Sequence, residues 1–567
     1  MLGNTRSAAR GCGPRVAAWL TAVAVLLGTQ FATLPAAFAQ GYVPISGAGS
    51  TWSFNALDQW RRNVDNNYQI KVNFAPSGSS DGRNQFKNGT VDFAVSEIEY
   101  GLTDGGVTDQ PPAGRTFGYM PIVAGGTAFM YNLKIGNTRV TNLRLSGDVL
   151  AKIFAQQITT WSDPAIKADN PGLTLPARKI VPVVRSDGSG TTAQFTRWLA
   201  ARHASTWDAY CDKAGKKVKP CGFTSNYPLA AGMEAKAGSQ GVAGFVAQGT
   251  SEGSITYVEY SYAKNASFPV VKVLNEAGYY VEPKASNVAV ALLKAQIRPD
   301  LTSDLSGVYT DGDKRTYPLS SYSYLIMPKN NNQNFTNEKG RTLAEFASYF
   351  LCEGQQQAEA LGYSPLPLNL VQAGVDQVAQ IPGSDGASVK LNRNDLSKCN
   401  NPTFSPDGTN LLARDAPQPA ECDRKGGPTQ CTTGTGGASA ATPTSGGGPD
   451  AGGSPGTGGA GGEGSGGSAS GTNGTNSTGG TGGTVAGATG SDGGPAAEID
   501  PDTGQGTEGA ASGAGSSSVS AVPVSVDVAD NRRQMLLAML AIVLLLGLVL
   551  GPPLVAQTMR SRGGPPA

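Results

Sequence analysis

The sequence predicts an α/β body over residues 40–412, followed by a chain too poor in apolar residues to bury a core. Three observations lead there. Strand-like runs alternate with amphipathic helical patterns, which is the mark of α/β architecture. The order strand, Gly/Ser/Thr turn, helix start occurs three times within the body. Beyond position 431 the composition shifts abruptly, and most of the excess among the 77 glycines gathers there.

Taken in order, Ile45-Ser46-Gly47-Ala48-Gly49-Ser50-Thr51 precedes a helical pattern with Phe54, Leu57, Trp60 and Val64 on one face. Residues 67–74 alternate at period two and read as a strand. The second turn, Gly78-Ser79-Ser80-Asp81-Gly82, opens the helix that begins at Arg83. The third is the fullest: Val181 to Val184 ends in Arg185, Ser186-Asp187-Gly188-Ser189-Gly190 turns, and Phe195, Trp198 and Leu199 share a helix face. Residues 253–260 form a less regular strand pattern. Val288, Leu292 and Ala295 mark one later helix face, and Leu343, Phe346, Ala347 and Phe350 another.

These turns suit an anion. Each helix N-terminus presents free N–H groups and roughly half a positive charge. Three converging termini hold a tetrahedral oxyanion with few formal charges. Arg185 adds a planar fork of donors, and Ser189, Thr191 and Thr192 add hydroxyls. The bland alternative is an ordinary loop in which Arg185 pairs with Asp187.

Other chemistry is weaker. Residues 78–82 also match the GxSxG elbow, making Ser80 a nucleophile. Its base would be His203, the one histidine, which follows Arg202 where a helix ends and either favours the dipole or faces solvent. No Walker motif or metal-ligand spacing occurs, so neither an enzyme, an ATPase nor a cofactor is expected. A net charge of +1 gives no reason to expect nucleic acid as a partner.

Residues 1–39 read as a signal peptide: Arg6, Arg10 and Arg15, an apolar run from Val16 to Leu27, and Ala37-Phe38-Ala39 before Gln40. Outside the cytoplasm the remaining six cysteines suggest disulfides. Cys211–Cys221 and Cys422–Cys431 are local loops, and Cys352–Cys399 would remain, although sequence alone does not fix the pairing. Residues 376–431 match the core pattern poorly and are either an appended subdomain or irregular wrapping, with 413–431 a Cys-containing extension. Residues 432–530 are a Gly/Ser/Thr-rich linker expected to be disordered, with a relaxed span of roughly 50–60 Å. Residues 533–556 read as one transmembrane helix and 557–567 as a cytoplasmic tail, with the body outside the cell.

The three turns also carry a resemblance. Together with Ile158-Thr159-Thr160-Trp161-Ser162-Asp163-Pro164, Tyr317-Pro318-Leu319-Ser320-Ser321-Tyr322 and Leu361-Gly362-Tyr363-Ser364-Pro365-Leu366-Pro367, they resemble the phosphate-binding protein of bacterial high-affinity phosphate ABC transporters, in an actinobacterial-style variant with a C-terminal anchor. The resemblance covers about residues 43–370. It implies a type II periplasmic-binding-protein-like fold: lobe one of about 41–120 and 275–375, lobe two of about 121–274, closing on a ligand like a hinge. It implies inorganic phosphate as ligand and a separate ABC permease and ATPase as partners. Thr51, the Trp52 N–H, Ser79, Arg185, Ser189, the Gly190 N–H and Thr191 match ligand positions, and Asp187 matches the residue that orients the arginine. One position departs: the family's proton-accepting aspartate is here Glu97, one methylene longer. The rival expectations are a different oxyanion such as sulfate, for which Glu97 decides, and a surface adhesion or sensing protein that reuses the fold.

Overall fold

One fifteen-residue strand, Phe117–Tyr131, joins the two halves of the molecule. The computed structural model in which it is seen describes residues 41–427 and 429–438. The expected signal peptide, transmembrane helix and tail, and the linker beyond 438, lie outside the described residues. No described helix is long and apolar enough to cross a membrane.

The main strands are β1 (Ile45–Gly49), β2 (Val72–Ala75), β3 (Phe93–Ser96), β4 (Phe117–Tyr131), β5 (Val181–Arg185), β6 (Glu234–Lys236), β7 (Ser254–Glu259) and β8 (Ser320–Pro328). They form one eight-stranded sheet in the order β6-β5-β7-β4-β8-β3-β1-β2. β1, β2 and β3 are parallel, as are β5, β6 and β7. Residues 117–126 of β4 pair antiparallel with β8, and residues 127–131 pair antiparallel with β7. The crossing from one half to the other therefore falls inside a strand, a few residues beyond the boundary expected near 120. The chain returns later than expected as well. Lys272–Leu274 and Tyr280–Val281 still pair in a small sheet with Arg144–Leu145, on the β7 side.

Four helices start at the carboxyl ends of parallel strands: α1 (Phe54–Tyr68) after β1, α2 (Ser79–Lys87) after β2, α3 (Gly190–Arg202) after β5 and α4 (Gly238–Ala247) after β6. Ligands of open α/β sheets bind at that end. Along α1, Leu57, Trp60 and Val64 are buried as the periodicity requires, and the Trp60 indole stacks on Phe350 at 5.6 Å. The strand expected from residue 67 begins only at Val72. The helix continues through Tyr68 and stops at Gln69, which takes a left-handed φ of 57°. An exposed last helical turn had mimicked alternation.

β7 does form over the expected segment, but all six of its residues are buried. A strand covered on both faces does not alternate, which explains its irregular pattern. Of the later helices, α5 (Tyr260–Asn265) follows β7 directly, α6 (Ala285–Leu292) ends before Ala295, and α7 (Asn337–Leu351) buries the four residues expected of it.

The disulfides are Cys211–Cys221, Cys352–Cys399 and Cys422–Cys431. Residues 376–438 wrap the body rather than form a subdomain. Ser388 and Val389 donate backbone N–H groups to the α7 carboxylate Glu345. Lys272 pairs with Asp423 at 2.7 Å in a buried position. The order persists past the expected linker start: Thr435 is 1% exposed, its N–H bonded to Thr141 O at 2.9 Å.

His203 is a further correction. It is half-buried rather than fully exposed, and it is not a charged partner for the dipole. It joins α3 to the next helix and meets the Trp198 ring edge-on at 4.6 Å. Burial lowers its pKa to about 4, so it is neutral in the folded protein at pH 7. An unfolded chain takes up this proton below about pH 6.5, so the group's contribution is intact above that pH and is lost as pH falls toward 4. The urea midpoint of the wild type should therefore drop relative to His203→Gln across that window. The relative loss should be on the order of 2 kcal/mol, allowing for partial exposure. A difference independent of pH would contradict the assignment.

Candidate anion-binding site

Two chains of hydrogen bonds tie the four helix starts together. The first begins at Arg185, the last residue of β5, which is 3% exposed. Its Nε donates to Asp187 Oδ1 at 2.7 Å, and Nη2 donates to Oδ2 of the same carboxylate. Nη1 donates to Ser239 Oγ at 3.3 Å, and Ser239 Oγ lies 2.8 Å from Thr51 Oγ1. Asp187 also accepts the Gly238 N–H at 2.9 Å. Burial pushes the Asp187 carboxyl up, but the Arg185 hydrogen bonds and charge, aided by the Gly238 N–H, outweigh it and hold the carboxyl below its ordinary range. The bidentate pair spends donors that face Asp187 and leaves the far side of the guanidinium fork for another acceptor.

The second chain centres on Glu97, which is 1% exposed. Ser79 donates to Oε2 at 2.7 Å; Ser50 and Ser323 donate to Oε1 at 2.5 and 2.7 Å. Glu97 is thus not a surface carboxylate paired with Lys or Arg. Its main-chain carbonyl accepts Gln194 Nε2 of α3 at 2.7 Å, a bond between the two halves. Ser79 Oγ in turn accepts the Gly190 N–H at 3.1 Å. The halves meet again where Ser80 N donates to Gly188 O at 3.1 Å.

The residues singled out from sequence therefore lie together at one cleft, although not all are free. The Trp52 N–H is engaged by Ser50 Oγ at 3.0 Å, and Ser189 Oγ caps its own helix through the Thr192 N–H at 3.1 Å. The Thr191 hydroxyl is buried without a protein partner among the described residues. Ser80 joins Ser225 at 3.2 Å, while His203 packs against Trp198, so no hydrolase dyad forms.

Sequence reasoning missed Ser50, Ser239, Gln194 and Ser323. Ser239 had a legible signal: Lys236-Ala237-Gly238-Ser239 repeats the strand, Gly/Ser turn, helix start for a fourth time. Ser323 had none, because it lies 226 positions from Glu97.

A parallel-sheet half on each side, a shared central strand and an oxyanion-type cleft between them define a two-lobe solute-binding protein. Residues 32–353 match the PBP superfamily domain. The chain is 33% identical over 344 residues to the phosphate-binding protein PstS of Xylella fastidiosa, covering 60% of this chain and 86% of the relative. It is 30% identical over 371 residues to PstS of Pasteurella multocida, covering 65% and 99%. PstS 3 of Mycobacterium tuberculosis is 28% identical over 333 residues, covering 58% and 84%. A solved phosphate-binding protein from Stenotrophomonas maltophilia aligns over 61% of this chain and 98% of its own, with a TM-score of 0.43 and 16% identity. The chain belongs to the PstS family of phosphate-binding proteins within the PBP superfamily.

Gly190 gives a direct check of the geometry. A Cβ built there would overlap Glu97 Oε2 and Ser79 Oγ, so no side chain fits between the carboxylate and the start of α3. Gly190→Ala should separate the halves at this point and lower the thermal midpoint by several degrees, at a cost of about 1–3 kcal/mol. An unchanged midpoint in a melting experiment would refute the closed arrangement.

Proposed function

We propose that this protein captures inorganic phosphate outside the cell and delivers it to a separate ABC permease and ATPase. It acts as a binder rather than an enzyme. The observation that carries the reading is Arg185: a buried guanidinium, held by Asp187 and bonded to Ser239 at the start of α4, in a cleft onto which four helices open. The PstS names of its relatives agree with it.

In this reading phosphate oxygens accept from Arg185, from the hydroxyls of Thr51, Ser79, Ser189 and Thr191, and from the N–H groups of Trp52 and Gly190. Some of those donors exchange an internal partner for the ligand. A ligand hydroxyl donates to Glu97. Sulfate carries no such proton, and a buried carboxylate facing it would be unpaired. The two lobes close over the ligand about β4. Before that, the signal peptide is removed ahead of Gln40. The linker and the helix at 533–556 then tether the lobes to the outer face of the cell membrane, where released phosphate passes to the permease.

The test is calorimetric titration of the full chain in mild detergent, after removal of co-purified phosphate. Phosphate should bind and sulfate should bind far more weakly. Arg185→Ala should cost about 2–4 kcal/mol, or roughly 30- to 1000-fold in affinity, since it removes charge-assisted bonds and strands Asp187. A folded protein that takes up no phosphate would overturn the reading.

A further inference from the structure

Glu97 is held by more than its place in the chain requires. The donors on it are directional. Ser50 Oγ already accepts the N–H groups of Trp52 and Ser53, at 3.0 and 3.3 Å. Its one proton is therefore committed to Glu97 Oε1. Ser79 Oγ accepts the Gly190 N–H and donates to Oε2, a bond it exchanges when it turns to the ligand. Ser323 adds a second hydroxyl on Oε1. Oε1 thus meets two donors and Oε2 meets one. The oxygen with the spare acceptor direction is the one that lies over Gly190 at the start of α3.

Ser323 reaches this point through an irregularity in the sheet. Along β8, Ser323 pairs with Val123 but Tyr324 pairs with Pro121, so Ile122 of β4 has no opposite residue and the register shifts between Ser323 and Tyr324. Bulges re-aim side chains. Pro121 has no N–H to lose at the break, and the Ile122 carbonyl is taken by Gln355 Nε2 at 2.9 Å. Ser323 is 0% exposed, and its one proton is in donor geometry both to Glu97 Oε1 at 2.7 Å and to Ser53 Oγ at 3.0 Å, at the foot of α1.

We propose that Ser323 and Ser50 are positioning residues that make Glu97 selective. By saturating Oε1 they fix which carboxylate oxygen faces the ligand and in what orientation. A glutamate has one more rotatable bond than an aspartate and loses more rotamer freedom on burial. The two hydroxyls remove that freedom before the ligand arrives, so Oε2 presents a single rigid acceptor. An oxyanion carrying a proton satisfies it, and one without a proton does not. This inference rests on the phosphate reading above.

The experiment measures dissociation constants of the full chain for phosphate and for sulfate at one pH, for the wild type, Ser323→Ala and Ser323→Thr. In Ser323→Ala the carboxylate turns away from sulfate more easily. The ratio of sulfate to phosphate dissociation constants should fall by roughly tenfold or more, while phosphate binding weakens only a few-fold. Ser323→Thr keeps the hydroxyl and should restore the ratio. Ser50→Ala reads the same ratio if Ser323→Ala does not fold. A purely structural role would weaken both anions together and leave the ratio unchanged, which would overturn this inference alone. A folded wild type without phosphate binding would overturn the functional reading and this inference with it.

Discussion

Everything about the cleft depends on β4 being one unbroken strand. Because residues 117–126 pair with β8 and residues 127–131 with β7, the two halves share a hydrogen-bonded ladder rather than a flexible linker. Any closure bends or twists that ladder near its midpoint. Gly125-Gly126 lies just past that midpoint, where the strand changes partner, and a Cβ on Gly125 would lie 2.7 Å from the Trp52 ring. Trp52 sits between β1 and α1, so the place where the strand changes partner is packed against a site loop. Glu259 closes the same region. It pairs across from Thr127, caps α5 through the Ser261 N–H at 2.8 Å, and is fully buried. Burial raises its carboxyl well above the ordinary range, against the Ser261 hydrogen bonds that favour the charged form.

The electrostatics of the cleft are set by dipoles rather than by net charge. Arg185, Asp187 and Glu97 sum to one negative charge when all are ionised. That sum repels an anion. What offsets it is geometry: four helix starts of roughly half a charge each, together with hydroxyls already fixed by hydrogen bonds. Such a site gains little from long-range attraction and much from fit. Fixed donors reward a ligand that matches their positions, and in the proposed reading Glu97 is the group that penalises one without a proton.

The sequence made this site legible where the chemistry is local. Arg185, Asp187 and Gly190 stand within one strand-turn-helix segment, and the β-branched run, the Gly and the first helical residues each announce their conformation. Thr51 and Ser79 were legible for the same reason. Ser323 was not, because a sheet register shift brings it to Glu97, and register belongs to the assembled sheet. The end of α1 was misread because its exposed last turn, with Asn67 and Tyr68, continued the alternation of the strand that follows. His203 was misread because a helix end was assumed to be a surface, whereas here a second helix begins at once and the imidazole lies against Trp198 and Gly147.

The C-terminal wrapping shows how little of a tertiary strap composition can reveal. Residues 388–403 lie against the α7 half: Glu345 takes two main-chain N–H groups, Cys352 is bridged to Cys399, and Leu366 O accepts from Asn401 and Thr403. Ala413 and Ala416 then pack on Ala289 and Val290 of α6. By Asp423 the chain has reached the other half, where the Lys272 ion pair holds it and Cys431 O accepts Asn142 Nδ2 at 2.7 Å. Pro417-Gln418-Pro419 makes the passage, and two prolines stiffen it. A buried ion pair is a poor source of net stability because desolvation offsets its attraction. Its directional demands instead fix where Asp423 must sit, and hence the register of the strap. The halves are therefore connected by β4, by the return through α5 and α6, and by this strap, so the folded body includes Thr435, beyond the point where the Gly-rich composition begins.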